Sequence, residues 1–285
     1  MSRIAYVNGQ YVPQALAQVG IEDRGFQFAD GVYEVCEVLG GKLIDESRHM
    51  ARLQRSLDML RMARPMSERA LAVVMRETVR RNRVIDGIVY VQVTRGEMRR
   101  DFPFPPEGTP PTLVVTARSS DLAKIGALAE KGISVITVPD ERWRHVDIKS
   151  VSLLPNVLAK QAARDKGARE AWLVDAQGYV TEGASSTAWI VTRDGVLVTR
   201  PLKGDILPGI TRSVVLDVVA KQGLRFEERA FTVEEAYAAR EAFITSASQT
   251  VMPVNEIDGH RIGNSGPGQI AKGLRRDYHS EAEFS

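Results

Sequence analysis

Between Val32 and Leu60 the hydrophobic period of the chain switches from that of a strand to that of a helix, and this switch limits the fold more than any other feature. Val32-Tyr33-Glu34-Val35-Cys36-Glu37-Val38 is strand-like, meets Gly40-Gly41 and continues into Lys42-Leu43-Ile44, the pattern of a hairpin. From Asp45, Met50, Leu53, Leu57 and Leu60 recur at helical spacing until Pro65, with Asp45 placed to cap the start. A second hairpin is expected at Asn8-Gly9 and a second helix after Ser67, with Leu71, Val74 and Met75 inward. Residues 88–94 and 112–116 read as strands, separated by a loop at 102–111 that holds five prolines.

Residues 1–118 therefore form one expected domain. Residues 119–131 read as a connector with some helical character, with Ser119, Ser120 and Asp121 as capping types and Gly126 and Gly132 as interruptions. Residues 132–285 form the second domain, with short strands at Ile133, Ala171, Tyr179, Thr187, Val196, Leu224 and Ala242 and helices after Leu153, Gly209, Thr232 and Gly268. Thr232-Val233-Glu234-Glu235 has capping-box spacing. Strands and helices do not alternate strictly, so the class is α+β rather than a doubly wound sheet.

With 285 residues, 44% of them hydrophobic, the chain is long enough to bury two modest cores. Its formal net charge of +2, with no long basic tract, argues against a nucleic-acid partner. No run approaches the ~20 apolar residues of a membrane span, and the stretch from Met1 to Val7 lacks the apolar core of a signal peptide. The single cysteine, Cys36, allows no intramolecular disulfide, and the expected location is cytoplasmic.

Four stretches carry chemistry. Asp147-Ile148-Lys149-Ser150 sets a lysine between half-apolar segments, where burial would make its amine a nucleophile; alone, a lysine beside an aspartate is far more often a solvated surface residue. Leu207-Pro208-Gly209-Ile210-Thr211-Arg212 opens an apolar helix with backbone N–H groups and a hydroxyl, either an anion site or a plain capped start. Thr245-Ser246-Ala247-Ser248 ends a strand in small hydroxyl residues suited to an anion or to a turn. Tyr179-Val180-Thr181-Glu182-Gly183 brings a carboxylate to a strand end, which a pyridine cofactor would need at its ring nitrogen. Together they make an inventory for pyridoxal 5'-phosphate, and no metal site is expected.

With these residues in view, the chain resembles the D-amino-acid aminotransferases of pyridoxal-phosphate fold type IV, a group that includes branched-chain aminotransferases and aminodeoxychorismate lyases. The likeness is carried by residues 22–35, 49–53, 91–96, 147–154, 180–186, 206–212 and 244–254. It implies a small N-terminal α/β sandwich and a larger C-terminal pseudo-barrel domain. It also implies that Lys149 forms the Schiff base and moves the proton between substrate and cofactor, and that Glu182 pairs with the pyridinium nitrogen. The resemblance assigns Arg52, Gly209, Ile210, Thr211, Ser246 and Ala247 to the phosphate, with Leu207 packed on the ring. Helical spacing agrees for Arg52, whose stem lies beside inward Leu53.

On the substrate side the resemblance implies Tyr33, Tyr90 and Arg100, the last on a loop from the partner of a homodimer and gripping the α-carboxylate. Phe102 departs from the family pattern, which has a histidine there, and would offer apolar surface instead of a donor. The expected activity is ping-pong transfer of the amino group from a D-amino acid to a 2-oxo acid. The rivals are an R-selective amine transaminase, a branched-chain L-aminotransferase, an aminodeoxychorismate lyase and a non-catalytic anion-binding dimer.

Overall fold

The computed structural model describes residues 3–285; Met1 and Ser2, which the expected first domain includes, lie outside the described residues. The chain divides into two compact units, one of residues 1–122 with 148–152 and 283–285, the other of residues 123–147 with 153–282.

The first unit is built on a six-stranded antiparallel sheet ordered β2-β1-β6-β5-β3-β4. Its strands are β1 (Ile4–Val7), β2 (Gln10–Pro13), β3 (Gly31–Leu39), β4 (Lys42–Leu43), β5 (Gly87–Thr94) and β6 (Thr112–Ser119). The β1–β2 turn places Asn8 and Gly9 both at positive φ, which is why this pair makes so tight a hairpin. α1 (Arg24–Phe28) starts at Asp23, whose carboxylate accepts from Gly25 and Phe26 N–H. α2 (Glu46–Met59) and α3 (Glu68–Arg81) turn Met50, Leu53, Leu57, Leu71 and Met75 into a core shared with Val32, Cys36 and Val38 of β3. Asp45 takes the N-cap position of α2, as expected, but without a side-chain capping bond: its φ is 55°, and its side chain accepts from Glu283 N–H. The C-terminal residues return to this unit, Leu43 N–H donating to Ser285 O at 2.9 Å.

The second unit holds α4 (Leu122–Lys131, with its first residue counted in the other unit), β7 (Ile133–Pro139), α5 (Leu154–Asp165), β8 (Glu170–Val174), β9 (Val180–Gly183), β10 (Thr187–Val191) and β11 (Leu197–Thr199). It continues through α6 (Ile210–Gln222), β12 (Phe226–Glu228), α7 (Val233–Tyr237), β13 (Glu241–Ser246), β14 (Thr250–Ile257), β15 (His260–Arg261) and α8 (Gln269–Glu281). Its mixed nine-stranded sheet follows β12-β11-β10-β13-β14-β7-β8-β9, with β15 on β14. The connector expectation needs correcting at Gly126, because α4 runs through it. The capping box at Thr232 forms, Glu235 N–H donating to the Thr232 hydroxyl at 3.1 Å and its carboxylate accepting in return. β14 escaped the sequence pattern because Pro253 argues against an interior strand. It nevertheless pairs with β13 and β7, with an irregular register between Val254 and Glu256.

Candidate active site

In the first unit, β3 carries a carboxylate on its buried parity. Val32, Glu34, Cys36 and Val38 all face inward, and Glu34 is fully buried. An isolated charge there would be very costly, so the fold must supply partners. α2 does: Arg52 donates from Nε to Glu34 Oε1 at 2.7 Å and from Nη2 to Oε2 at 2.8 Å, and His49 Nδ1 lies 2.7 Å from Oε2. His49 and Arg52 are three apart on the helix and so reach the same acceptor. Burial works to raise the Glu34 pKa, but the Arg52 charge and the hydrogen bonds from Arg52 and His49 hold it well below the usual carboxylate range.

Tyr33 lies on the opposite parity of the same strand. Its N–H donates to Lys149 O at 3.0 Å, and Val151 N–H donates to Gly31 O at 3.0 Å, which straps the lysine segment along the start of β3. From α2, the Ser56 hydroxyl accepts from Lys149 N–H at 3.4 Å. Lys149 is half-buried rather than enclosed, and its Nζ lies 4.3 Å from the centroid of the Tyr33 ring. Tyr33 stacks on Tyr90 at 5.6 Å, and Tyr90 donates its hydroxyl to Gln92 at 2.6 Å. Burial, with Tyr33 adding to it, pushes the Tyr90 phenol up to about 12, so it stays protonated as a donor. The structure thus brings Lys149, Tyr33 and Tyr90 together, with Arg52 one turn before Ser56 on α2.

Arg100 and Phe102 belong to a separate cluster. The loop leaves β5 at Gly96, whose φ of 92° and close approach to the Pro110 carbonyl exclude a side chain. Arg24 pins it by donating to Asp101 O at 2.8 Å and Phe102 O at 3.2 Å, and Asp30 ties Arg24 to Arg95. The Phe104 ring lies 3.7 Å from the Arg95 guanidinium. Phe102, 81% exposed, packs on Phe28 at 5.5 Å, and the Arg100 guanidinium sits 4.6 Å from the same Phe28 ring. Among the described residues no hydrogen bond, ion pair or ring contact joins Arg100 or Phe102 to Lys149, Tyr33 or Tyr90.

In the second unit, Glu182 stands one residue before the end of β9 and is buried. Arg142 Nη1 and Leu207 N–H (3.1 Å) both donate to its Oε1. Burial raises the Glu182 pKa, and the Arg142 charge and both hydrogen bonds only partly offset it. The Leu207 bond fixes the segment that leads into α6. Gly209 caps that helix without a side-chain bond, so its first N–H groups stay available. A Cβ on Gly209 would come within 3.0 Å of the Thr187 hydroxyl, and Thr187 pairs across β10–β13 with Thr245, next to Ser246 and Ala247 at the strand end. Glu182, Leu207, Gly209, Ile210, Thr211, Ser246 and Ala247 are therefore linked through this unit.

Two atoms here test whether the residues suit a phosphorylated pyridine. The Thr211 hydroxyl, on a residue only 4% exposed, has no hydrogen-bond partner among the described residues. Glu182 Oε2 likewise has none, both its bonds falling on Oε1. An unpartnered hydroxyl at a helix N-terminus suits an anion, and an unpartnered carboxylate oxygen suits a cationic N–H. The residues fit such a group. Sequence reasoning missed Arg142 and Asp140 altogether and did not separate Glu34 from its motif. A glutamate on the buried parity of an apolar strand was a readable signal; nothing local distinguished Arg142.

Residues 31–257 match the family described as Amino-transferase class IV. The D-alanine aminotransferase of Bacillus licheniformis is 41% identical over 268 residues, covering 94% of this chain and 93% of that one. The D-alanine aminotransferase of Staphylococcus epidermidis is 36% identical over 274 residues, 96% of this chain and 95% of its own. Among solved structures, the T.th. branched-chain amino acid aminotransferase with pyridoxamine 5'-phosphate aligns at a TM-score of 0.89 and 26% identity, covering 98% of this chain and 94% of that one.

Proposed function

The chain belongs to the class IV aminotransferase family, and from that premise we propose that it moves the amino group of D-alanine-type D-amino acids to 2-oxo acids such as pyruvate or 2-oxoglutarate. The cofactor of this class is pyridoxal 5'-phosphate, which when bound draws electrons from the substrate Cα. The observation that carries the reading is Lys149 Nζ, held over the Tyr33 ring by backbone bonds to β3 and α2 rather than by a salt bridge. Among the described residues no carboxylate pairs with this amine, which leaves it open to a carbonyl group.

In this reading Lys149 would hold the cofactor through its amine and would serve as the base that takes and returns the substrate Cα proton. Glu182 offers Oε2 to the ring nitrogen. The phosphate is held by the N–H groups of Ile210 and Thr211, by the Thr211 hydroxyl and by Ser246 and Ala247, while Arg52 adds its charge and Leu207 packs on the ring. The buried Glu34 limits how far Arg52 can move, so the guanidinium stays oriented. Tyr33 and Tyr90 border the substrate.

Among the described residues neither Arg100 nor Phe102 makes a hydrogen bond, ion pair or ring contact with Lys149, Tyr33 or Tyr90, which supports a homodimer in which this loop serves the partner. Exposed Ile21 (81%) and Phe26 (78%) offer apolar surface for that association. No helix among the described residues is long and apolar enough to cross a membrane; a cytoplasmic location is proposed on the single buried Cys36.

The test is spectroscopic. Purified protein reconstituted with pyridoxal 5'-phosphate is expected to absorb in the visible and to bleach on adding D-alanine, with pyruvate released. Lys149→Ala is expected to keep its circular dichroism and lose both the absorbance and turnover. Pyruvate formation by that variant in a single-turnover assay would overturn the assignment.

A further inference from the structure

Arg142 lies beyond the end of β7, outside the residues that the resemblance pointed to, and is only 7% exposed. It spends most of its fork on a neighbour: Nε donates to Asp140 Oδ1 at 2.8 Å and Nη2 to Asp140 Oδ2 at 2.6 Å. The Thr181 hydroxyl donates to the same Asp140 Oδ2 at 2.7 Å, so Asp140 and Thr181 lock the guanidinium in place. The remaining nitrogen, Nη1, donates to Glu182 Oε1. Leu207 N–H falls on the same oxygen, and Oε2 is left without a partner. One face of the carboxylate is thus filled from inside the unit and the other held open.

Resting on the pyridoxal phosphate reading, we propose that Arg142 is a positioning residue which turns Glu182 Oε2 toward the ring nitrogen and keeps the proton of that hydrogen bond on the nitrogen. Where a carboxylate and a pyridine share a proton, its place follows their relative proton affinities. A guanidinium on the far oxygen lowers the affinity of the carboxylate, so the proton sits on the ring. Without Arg142, only the Leu207 N–H would offset burial and the nearby Asp140 charge, and the carboxyl would hold the proton more tightly. Burial raises the Glu182 pKa and the Arg142 charge works against it, so removing Arg142 moves the carboxyl further toward its protonated form. An electron-withdrawing ring nitrogen is then maintained by a side chain that never touches the cofactor.

The experiment uses holoenzyme loaded with pyridoxal 5'-phosphate carrying ¹⁵N in the ring, read by NMR at neutral pH. Wild type is expected to show a protonated ring nitrogen, and Glu182→Gln marks the signal when no carboxylate is present. Arg142→Met is expected to move the signal toward unprotonated pyridine, and Arg142→Lys, which restores a charge but not the fork, to fall between. In parallel, kcat for D-alanine should drop about tenfold or more in Arg142→Met while KM changes less than about threefold, because the loss is confined to the reacting state. Should Arg142→Met not fold, Arg142→Lys alone decides, since the proposal requires a partial shift. Labelled cofactor bound by the Arg142 variants with the wild-type nitrogen signal would overturn the role of Arg142. Wild-type protein that takes up no labelled cofactor would instead overturn the pyridoxal reading beneath it.

Discussion

Glu34 and Glu182 are both strand carboxylates, both buried and both paired with an arginine, yet their acidities move in opposite directions. Glu34 receives two parallel bonds from Arg52 and a third from His49, so each oxygen is occupied. Glu182 receives one nitrogen of an arginine already committed to Asp140, and both its bonds land on one oxygen. Arg142 itself is held firmly charged, since two carboxylates share it. The pairing with arginine therefore does not decide the state of a buried carboxylate; the number of donors left for each oxygen does. The first arrangement is closed, with both oxygens of Glu34 occupied, whereas the second leaves Glu182 Oε2 as an acceptor with no partner among the described residues.

The sharpest way to break this contrast is to neutralise each carboxylate. Glu34→Gln leaves a buried arginine without its counter-ion and is expected to cost about 3–5 kcal/mol of stability. Glu182→Gln removes a carboxylate that burial disfavours and should stay within about 1 kcal/mol of wild type while slowing turnover. Urea unfolding of both variants measures this, and equal losses would erase the distinction. A smaller effect is expected on cofactor affinity: Arg52→Ala should weaken it by about 1.5–3 kcal/mol, the scale of a lost charged hydrogen bond. Adding Glu34→Gln to Arg52→Ala should recover stability without recovering affinity, because the double variant removes the orphaned charge but not the missing donor. Recovery of both would place Arg52 away from the phosphate.

The two carboxylates should also differ in how they respond to acid. The Glu34 pKa is lowered in the folded state, so its contribution is complete above the unfolded value near ~4.3 and is lost as pH falls through the folded value below it. Glu182 is raised, so its share of stability is present below that unfolded value and is lost as pH rises through the folded one. Melting temperatures of apoprotein across acid pH should therefore show the Glu34→Gln penalty shrinking toward low pH, and Glu182→Gln gaining on wild type as pH rises. Parallel curves for the two variants would contradict the opposite signs. The smallest effect is expected at Phe102, outside both networks. Phe102→His should tighten D-alanine binding by roughly the 0.5–1.5 kcal/mol of one net hydrogen bond, read as kcat/KM for D-alanine against an R-amine. An unchanged ratio would show that residue 102 does not face the substrate carboxylate.

Periodicity made most of the fold readable. The strand-to-helix switch at Asp45, the turn at Asn8-Gly9 and the capping box at Thr232 are local devices, and local devices are visible in sequence. β14 was not, because the strand tolerates Pro253 only through pairing supplied by β13 and β7. The site follows the same division. Lys149, Glu182 and the start of α6 stand in recognisable motifs, but the donor that completes Glu182 comes from a distant segment, Arg142 lying 40 positions before it. Glu34 was legible in principle, since the alternation of β3 assigns it an inward face; what occupies that face could come only from α2.

Cys36 sits two residues along from Glu34 on that inward face, with no exposed surface, and burial together with the Glu34 charge pushes its thiol well above the ordinary range. As the only sulfhydryl in the chain, it is shielded both by packing and by protonation, the two conditions that thiol reagents need removed. Alkylation must then wait for the core of the first unit to open. A disulfide-exchange reagent added to the native enzyme becomes a clock for that opening, reading the stability of one unit separately from the other without any introduced label.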